Sequence, residues 1–258
     1  MGQGLHPAVH GFDRSAESYE RGRPGYPPEA LAYLRDALGL RPGDRVLELG
    51  AGTGKFTRAM DPWAARRIAV EPIPGMRAVF VRATPGAELL TARAETLPVR
   101  SGAVHAVVAA RSFHWFRQPE TLREIHRVLR PGGALGLVWN RRDESVPWVK
   151  ELGTLIDAEA GDIPRTRSEA WRSAFESAGG FGPIASSQFP HIDPLPRDRV
   201  IDRVLSISAI GLLPPERQRA LADRVQEILA RDPDLARAET VPFPYRTEVY
   251  VARRLDAS

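Results

Sequence analysis

Apolar positions along the first 140 residues alternate between two rhythms. Residues 28–40, PEALAYLRDALGL, carry Leu31, Leu34 and Leu38 at helical spacing before Pro42-Gly43 ends the run. Residues 45–49 form a short apolar run of β type that leads into a glycine-rich loop, and residues 54–60 open a short helix stopped by Asp61-Pro62. A second strand is predicted over 67–71, and a helix opens at Pro74, a residue suited to a first turn. Further strands are predicted at AELLTA and at residues 103–110. The helix PETLREIHRVL then groups Leu122, Ile125, Val128 and Leu129 on one face, ends at Pro131-Gly132-Gly133, and gives way to the strand ALGLVWN.

From about residue 141 the rhythm changes. Helical patterns around 147–160, 167–178, 197–210 and 215–231 surround a strand at 183–189, and residues 190–196, rich in proline, read as a loop. The chain closes with RTEVYVARR, which alternates like a strand. Buried strands alternating with amphipathic helices predict an α/β fold with a doubly wound, Rossmann-like, mostly parallel sheet of seven strands. A helical lid is expected near the C-terminal strands. The expected organisation is one domain over 1–258: an N-terminal segment (1–27), a core (28–140), a helical region (141–240) and a final strand (241–258).

Composition narrows the chemistry. The formal net charge is +4 and the pI about 9.8, yet Lys occurs only at positions 55 and 150 and the arginines are dispersed among acids. A nucleic-acid binder concentrates its charge in a stripe, so no nucleic-acid partner is expected. Cysteine is absent, which excludes disulfides, thiolate catalysis and Cys-ligated zinc, and no His/Asp/Glu spacing suits a metal. The opening MGQGLHPAVHGFDRS has neither a basic nor an apolar signal region, His6 stands where a myristoylation signal needs Ser or Thr, and no apolar stretch is long enough to span a membrane. A soluble, cytoplasmic protein is expected.

The loop after the first strand, LELGAGTGKFT, has three candidate ligands: a nucleotide phosphate, a dinucleotide pyrophosphate, or the amino-acid end of S-adenosylmethionine. A Walker A loop fails, because Phe56 follows Gly54-Lys55 where Ser or Thr is required and Leu49 occupies the first-glycine position. A dinucleotide fingerprint needs glycines at offsets 0, 2 and 5, but the third position falls on Lys55 or Thr57. What remains is acid-x-Gly-x-Gly-x-Gly, from Glu48 to Gly54, whose glycines allow tight turns and close approach of a ligand. Glu71, at the end of the second strand, suits a ribose, which both S-adenosylmethionine and NAD contain.

In register, VLELGAGTGKFT, AVEPIPGM, TARAETLPVRSGAVHAVVAARSFHWF and HRVLRPGGALGLVWN resemble the motif series of class I S-adenosylmethionine-dependent methyltransferases, in the small-molecule (type 11-like) branch. FDRSAESYERGRPGYP resembles the segment preceding that branch's first strand, and PFPYRTEVYVARR its last strand. The resemblance covers residues 12–140 well and the helical region loosely.

The resemblance implies that Glu48, Gly50, Ala51, Gly52 and Gly54 lie along the methionine part of the cofactor. It implies that Glu71 holds the ribose, Pro72-Ile73 lie beneath the adenine, and Ala94-Glu95 hold its edge. Arg111 and Ser112 would lie near the methionine moiety, and Tyr19 and Arg23 would close over the cofactor, where a guanidinium suits its carboxylate. His105 stands where many relatives carry Asp, so no catalytic Asp is assigned there.

Methyl transfer from a sulfonium relies largely on positioning, and a general base is needed only when the acceptor must lose a proton. His114, just past the fourth strand, is the candidate catalytic and substrate-binding group; its alternative is a structural histidine bonded to backbone. Trp115 lines a pocket or packs in the core. His191 reads as a loop residue and His126 as a solvated or helix-end residue. Val204, Ser206, Ser208 and Ile210 are candidates for an acceptor pocket in the lid. The expected function is transfer of a methyl group from S-adenosylmethionine to a small molecule, giving S-adenosylhomocysteine, in a monomer or homodimer. The alternatives are a non-catalytic cofactor-binding module, an RNA methyltransferase and, less compatibly with the glycine spacing, a nicotinamide-dependent oxidoreductase.

Overall fold

A computed structural model describes residues 10–160, 170–207 and 210–256. Its helices are α1 (His10–Gly22), α2 (Pro28–Leu38), α3 (Lys55–Ala59), α4 (Pro74–Ala83), α5 (Gln118–Val128), α6 (Pro147–Ala160), α7 (Ala170–Ala178), α8 (Arg197–Leu205) and α9 (Pro215–Arg231). Its strands are β1 (Arg45–Leu49), β2 (Arg66–Val70), β3 (Glu88–Leu90), β4 (Val104–Ala110), β5 (Leu129–Arg142), β6 (Ala185–Pro196) and β7 (Thr240–Arg253). They form one seven-stranded sheet in the order β3-β2-β1-β4-β5-β7-β6.

The pairs β1·β2, β1·β4, β2·β3 and β4·β5 are parallel. Parallel strands are covered on both faces, and β1 obeys this, with every residue after Arg45 buried. The chain winds outward from β1 to β3 and then returns to place β4 on the other side of β1. Such a reversal opens a crevice at the carboxyl ends of β1 and β4, where open α/β sheets bind ligands.

The chain divides into two compact units. One comprises residues 25–140, 164–189 and 247–258, and the other residues 1–24, 141–163 and 190–246; three of the divisions fall inside β5, β6 and β7. In the first unit, α2 buries Ala30, Leu34 and Leu38, spaced by four, against Val46, Val108 and Val138. Leu31, expected on this face, is only half-buried, because a spacing of four keeps Ala30 in line with Leu34. The opposite face of the sheet packs Leu122, Ile125 and Val128 of α5 with Trp171 and Phe175 of α7. In the second unit, α8 and α9 bury Val200, Val204, Leu221, Val225 and Ile228 with Trp148 and Phe243.

Three predicted boundaries change. Residues 190–196, expected as a loop, belong to β6. β6 lies at the sheet edge, where one side has no neighbouring strand and Pro190, Pro194 and Pro196, which have no N–H to donate, are tolerated. The Pro131-Gly132-Gly133 turn lies within β5 as an irregularity: Val104 pairs with Leu129 but Ala106 with Ala134. The helix expected over 197–210 ends at Leu205, and a short 3-10 turn occupies Ile210–Leu212. No described helix is long and apolar enough to cross a membrane.

Candidate active site

The site grows from β1. Glu48 is buried in this central strand, and its Oε2 accepts a hydrogen bond from the Thr57 hydroxyl at 2.5 Å. Burial pushes the Glu48 carboxyl up to about 8, with the neighbouring Glu71 charge adding to the rise and the Thr57 bond opposing it. Thr57 sits on α3, so this bond ties the strand before the loop to the helix after it.

Gly50, Gly52 and Gly54 all have left-handed backbones, with φ of 66°, 59° and 85°. Their close approach is first to the protein itself. A Cβ on Gly50 would lie 2.7 Å from the Ser112 Cβ, and one on Gly54 would lie 2.2 Å from the Thr84 hydroxyl and 2.8 Å from the Phe80 ring. At these two positions the space a Cβ would need is filled by β4's following loop and by the end of α4, a second reason for glycine beside the expected close approach of a ligand. The amides of Gly50 and Ala51 both donate to the Val70 carbonyl, at 2.8 and 3.1 Å. Thr53 is fully buried, and its hydroxyl has no hydrogen-bond partner among the described residues.

Glu71 follows β2 and is nearly fully buried. Its Oε2 accepts from the Gly52 amide and its Oε1 from the Ile73 amide, each at 2.8 Å. Burial raises this carboxyl to about 7, against the lowering effect of those two amides. The Arg77 guanidinium donates to the carbonyls of Glu71 and Pro72, which holds the chain after the acid.

The β4 end closes the other side. Arg111 has a left-handed φ of 57°, its amide donates to the Val138 carbonyl at 2.8 Å, and the Ser112 hydroxyl donates to the Leu49 carbonyl at 2.6 Å. Phe113–Trp115 is a 3-10 turn in which Phe113 is buried while His114 and Trp115 are half-buried, their rings 5.1 Å apart. Ala94 packs in the core, and Glu95 accepts from the Arg117 amide at 3.0 Å and pairs with Arg93. The structure thus brings Gly52 and Glu71 together by a direct hydrogen bond, sets Ser112 against Gly50, and ties Glu48 to the helix after the loop.

Other candidates have surroundings of their own. Tyr19 and Arg23 lie in the helical unit, where the guanidinium stacks 4.8 Å over the Tyr19 ring and donates to the Ser206 carbonyl. Val204, Ser206 and Ile210, expected in an acceptor pocket, are buried in that unit's own core; the apolar stripe of α8 that suggested a lining surface is spent on internal packing. Ser208 lies outside the described residues. His126 is not simply solvated: its Nε2 bonds to the Leu255 carbonyl at 2.9 Å and its ring meets Phe181 edge-on. His191 lies on β6, with its ring 6.3 Å from Tyr245.

Sequence reading passed over Thr57 and Thr53. A hydroxyl in the first turn after a loop whose strand ends in a buried acid is the signal for Thr57; Thr53 has none. Asn140 is also new: its amide donates to the Gly25 carbonyl and its oxygen accepts from Thr247, each at 2.7 Å. No group of three His, Asp or Glu among the described residues is placed to hold a metal.

Residues 47–137, which span this network, match the family described as a methyltransferase domain. An uncharacterized methyltransferase of Mycobacterium bovis is 39% identical over 236 residues, 92% of each chain. The chain belongs to the class I methyltransferase family. A proposed type II methyltransferase from Anaeromyxobacter dehalogenans shares the fold, with a TM-score of 0.65, 23% identity, and coverage of 90% of this chain and 96% of that one. The Haemonchus contortus phosphoethanolamine N-methyltransferase 2, in complex with phosphomonomethylethanolamine and S-adenosylhomocysteine, shares it with a TM-score of 0.58 at 14% identity, over 95% of this methyltransferase and 58% of the nematode chain.

Proposed function

We propose that this methyltransferase transfers the methyl group of S-adenosylmethionine to a small-molecule acceptor by in-line displacement, releasing S-adenosylhomocysteine. The observation that carries the reading is Glu71, a buried carboxylate at the end of β2 with each oxygen set by a main-chain amide beside the glycine loop. A carboxylate oriented in this way retains lone pairs for the two hydroxyls of a ribose. The residues present fit the cofactor further: the buried Thr53 hydroxyl, without a partner among the described residues, is a polar group in the loop available to a ligand.

When bound, S-adenosylmethionine supplies an activated methyl on a sulfonium, which becomes a neutral thioether as the acceptor's lone pair takes the carbon. The chain's own contribution is positional. In this reading the Gly50–Gly54 backbone carries the methionine part, Glu71 the ribose, Pro72-Ile73 and Ala94-Glu95 the adenine, and the Arg111-Ser112 main chain the methionine end. Glu48, pushed up to about 8 by burial, is mostly protonated at neutral pH and keeps the loop's shape through Thr57 while limiting charge repulsion with Glu71. His114, half-buried after β4, is the residue proposed to contact the acceptor and to take a proton when one must leave. The Serratia marcescens malonyl-[acyl-carrier protein] O-methyltransferase, 30% identical over about half of each chain, acts by its name on a protein-borne malonyl group, and it supports an oxygen acceptor on an acyl group without supporting a free small acid.

Calorimetry with S-adenosylhomocysteine and with NAD tests the reading. The expected result is binding of the first alone, weakened by roughly tenfold or more in Glu71→Ala. NAD binding without a response to S-adenosylhomocysteine overturns it.

A further inference from the structure

Arg111 is one of two non-glycine residues with a left-handed backbone among those described, at φ 57°. Residues bearing side chains rarely occupy this region, and where they do the surroundings hold them there. Here the Arg111 amide is bonded to Val138, the Ser112 hydroxyl to Leu49, and the Ser112 Cβ sits against Gly50. Glycine would make the same turn without strain, so the fold itself gives no reason for an arginine.

Other arginines of the same unit are engaged. Arg58 donates to the Thr53 carbonyl and the Thr84 hydroxyl, Arg77 to the carbonyls of Glu71 and Pro72, and Arg117 pairs with Glu95 and Glu120. The half-buried Arg111 differs: among the described residues its guanidinium has no hydrogen bond, ion pair or ring contact. A planar cation of this kind at the carboxyl end of β4, beside the glycine loop, is a receptor for a planar anion. A single guanidinium fork matches a singly charged carboxylate in charge and in its two parallel hydrogen bonds.

From this geometry we propose that Arg111 is the specificity-determining residue for the acceptor, pairing its guanidinium with a carboxylate on a small acidic substrate. The proposal rests on the methyl-transfer reading and adds the substrate class to it. The anchored carboxylate orients the acceptor, and its pairing with Arg111 is independent of which acceptor atom takes the methyl.

The test uses tritiated S-adenosylmethionine with the full chain and matched probes that carry a second nucleophile besides the anchoring carboxylate: 6-aminohexanoic, 4-hydroxyphenylacetic, 4-hydroxycinnamic and succinic acids, each beside its amide. Transfer is expected to an acid and not to its amide. Arg111→Gln is expected to raise the KM for that acid about tenfold or more while leaving the Kd for S-adenosylhomocysteine within about twofold, and Arg111→Lys to recover part of the loss. Arg111→Gly separates this role from a structural one: relief of the backbone should raise Tm while KM rises as in Arg111→Gln. Equal transfer to amides, cofactor binding without transfer to any acid, or an Arg111→Gln variant that loses S-adenosylhomocysteine binding with KM unchanged would each overturn the proposal. Failure of the wild-type chain to bind S-adenosylhomocysteine at all overturns the methyl-transfer reading first.

Discussion

The Cβ of Ser112 occupies the space that a Cβ on Gly50 would need, 2.7 Å away, while the Ser112 hydroxyl bonds to the carbonyl of Leu49 one residue earlier. β1 and the loop after β4 are therefore locked together at the mouth of the crevice. Gly50→Ala should destabilise the fold by ~1–3 kcal/mol, combining the left-handed backbone with the collision. In the Gly50→Ala, Ser112→Gly double variant the collision with Ser112 is gone and only the 3.1 Å approach to the Phe116 ring remains, so urea unfolding should recover part of the loss. Strict additivity in that cycle would show that the contact is not the cause.

Stability of the ligand-free chain should depend on pH through Glu48 and Glu71. Both folded-state values are raised from 4.5, to about 8 and about 7. Across that window the folded chain holds protons that the unfolded chain has lost, so stability is fullest below 4.5 from these groups and falls as pH rises through 7 to 8. Urea midpoints should be lower at about pH 8.5 than at about pH 5.5, and Glu48→Gln, neutral throughout, should flatten the slope. A rising midpoint over that range attributable to Glu48 would contradict the burial account.

His105 has a structural partner set at the opposite end of the strands from the glycine loop. Its Nδ1 accepts the Arg45 amide at 3.0 Å and its Nε2 lies 2.9 Å from the Asp44 carboxylate. Burial, with Arg130 nearby, lowers its pKa, which favours the neutral ring whose Nε2–H donates to Asp44. His105→Ala should cost roughly 1–2 kcal/mol, read by urea unfolding, with unchanged affinity for S-adenosylhomocysteine. A large loss of that affinity would place His105 in the site.

Arg203 is buried in the helical unit, donating to Asp193 at 2.6 Å and to the Tyr245 hydroxyl at 2.7 Å, over the rings of Phe243 and Tyr245. Arg203→Ala leaves Asp193 without this guanidinium and should destabilise that unit by roughly 3–5 kcal/mol. Amide hydrogen exchange should quicken in α8 and α9 before it does in β1 and β4; uniform quickening would indicate a single cooperative unit.

Much of the fold was legible because its signals are local. The apolar run of β1, the glycines that follow, Pro74 at the head of α4 and the spacing of Leu122, Ile125 and Val128 each declare an element within one short window. The acid at the end of β2 was legible for the same reason, by its distance along the chain from the loop. β6 misled because Pro190, Pro194 and Pro196 read as a loop, and only an edge position in the sheet permits them in a strand. Val204 misled because an amphipathic stripe states that one face is covered without stating by what; here it is covered by the core of its own unit.

The sequence by itself determined the order of elements, the glycine loop and the acid at the strand end, because backbone preference and side-chain periodicity act between near neighbours. Only the tertiary structure decided why Gly50 must be glycine, what His105 holds, and that Arg111 stands strained and unpaired among the described residues. Ser112 reaches Gly50 and His105 reaches Arg45 across about sixty intervening residues, and contacts of that range exist only once strands β1 and β4 lie side by side.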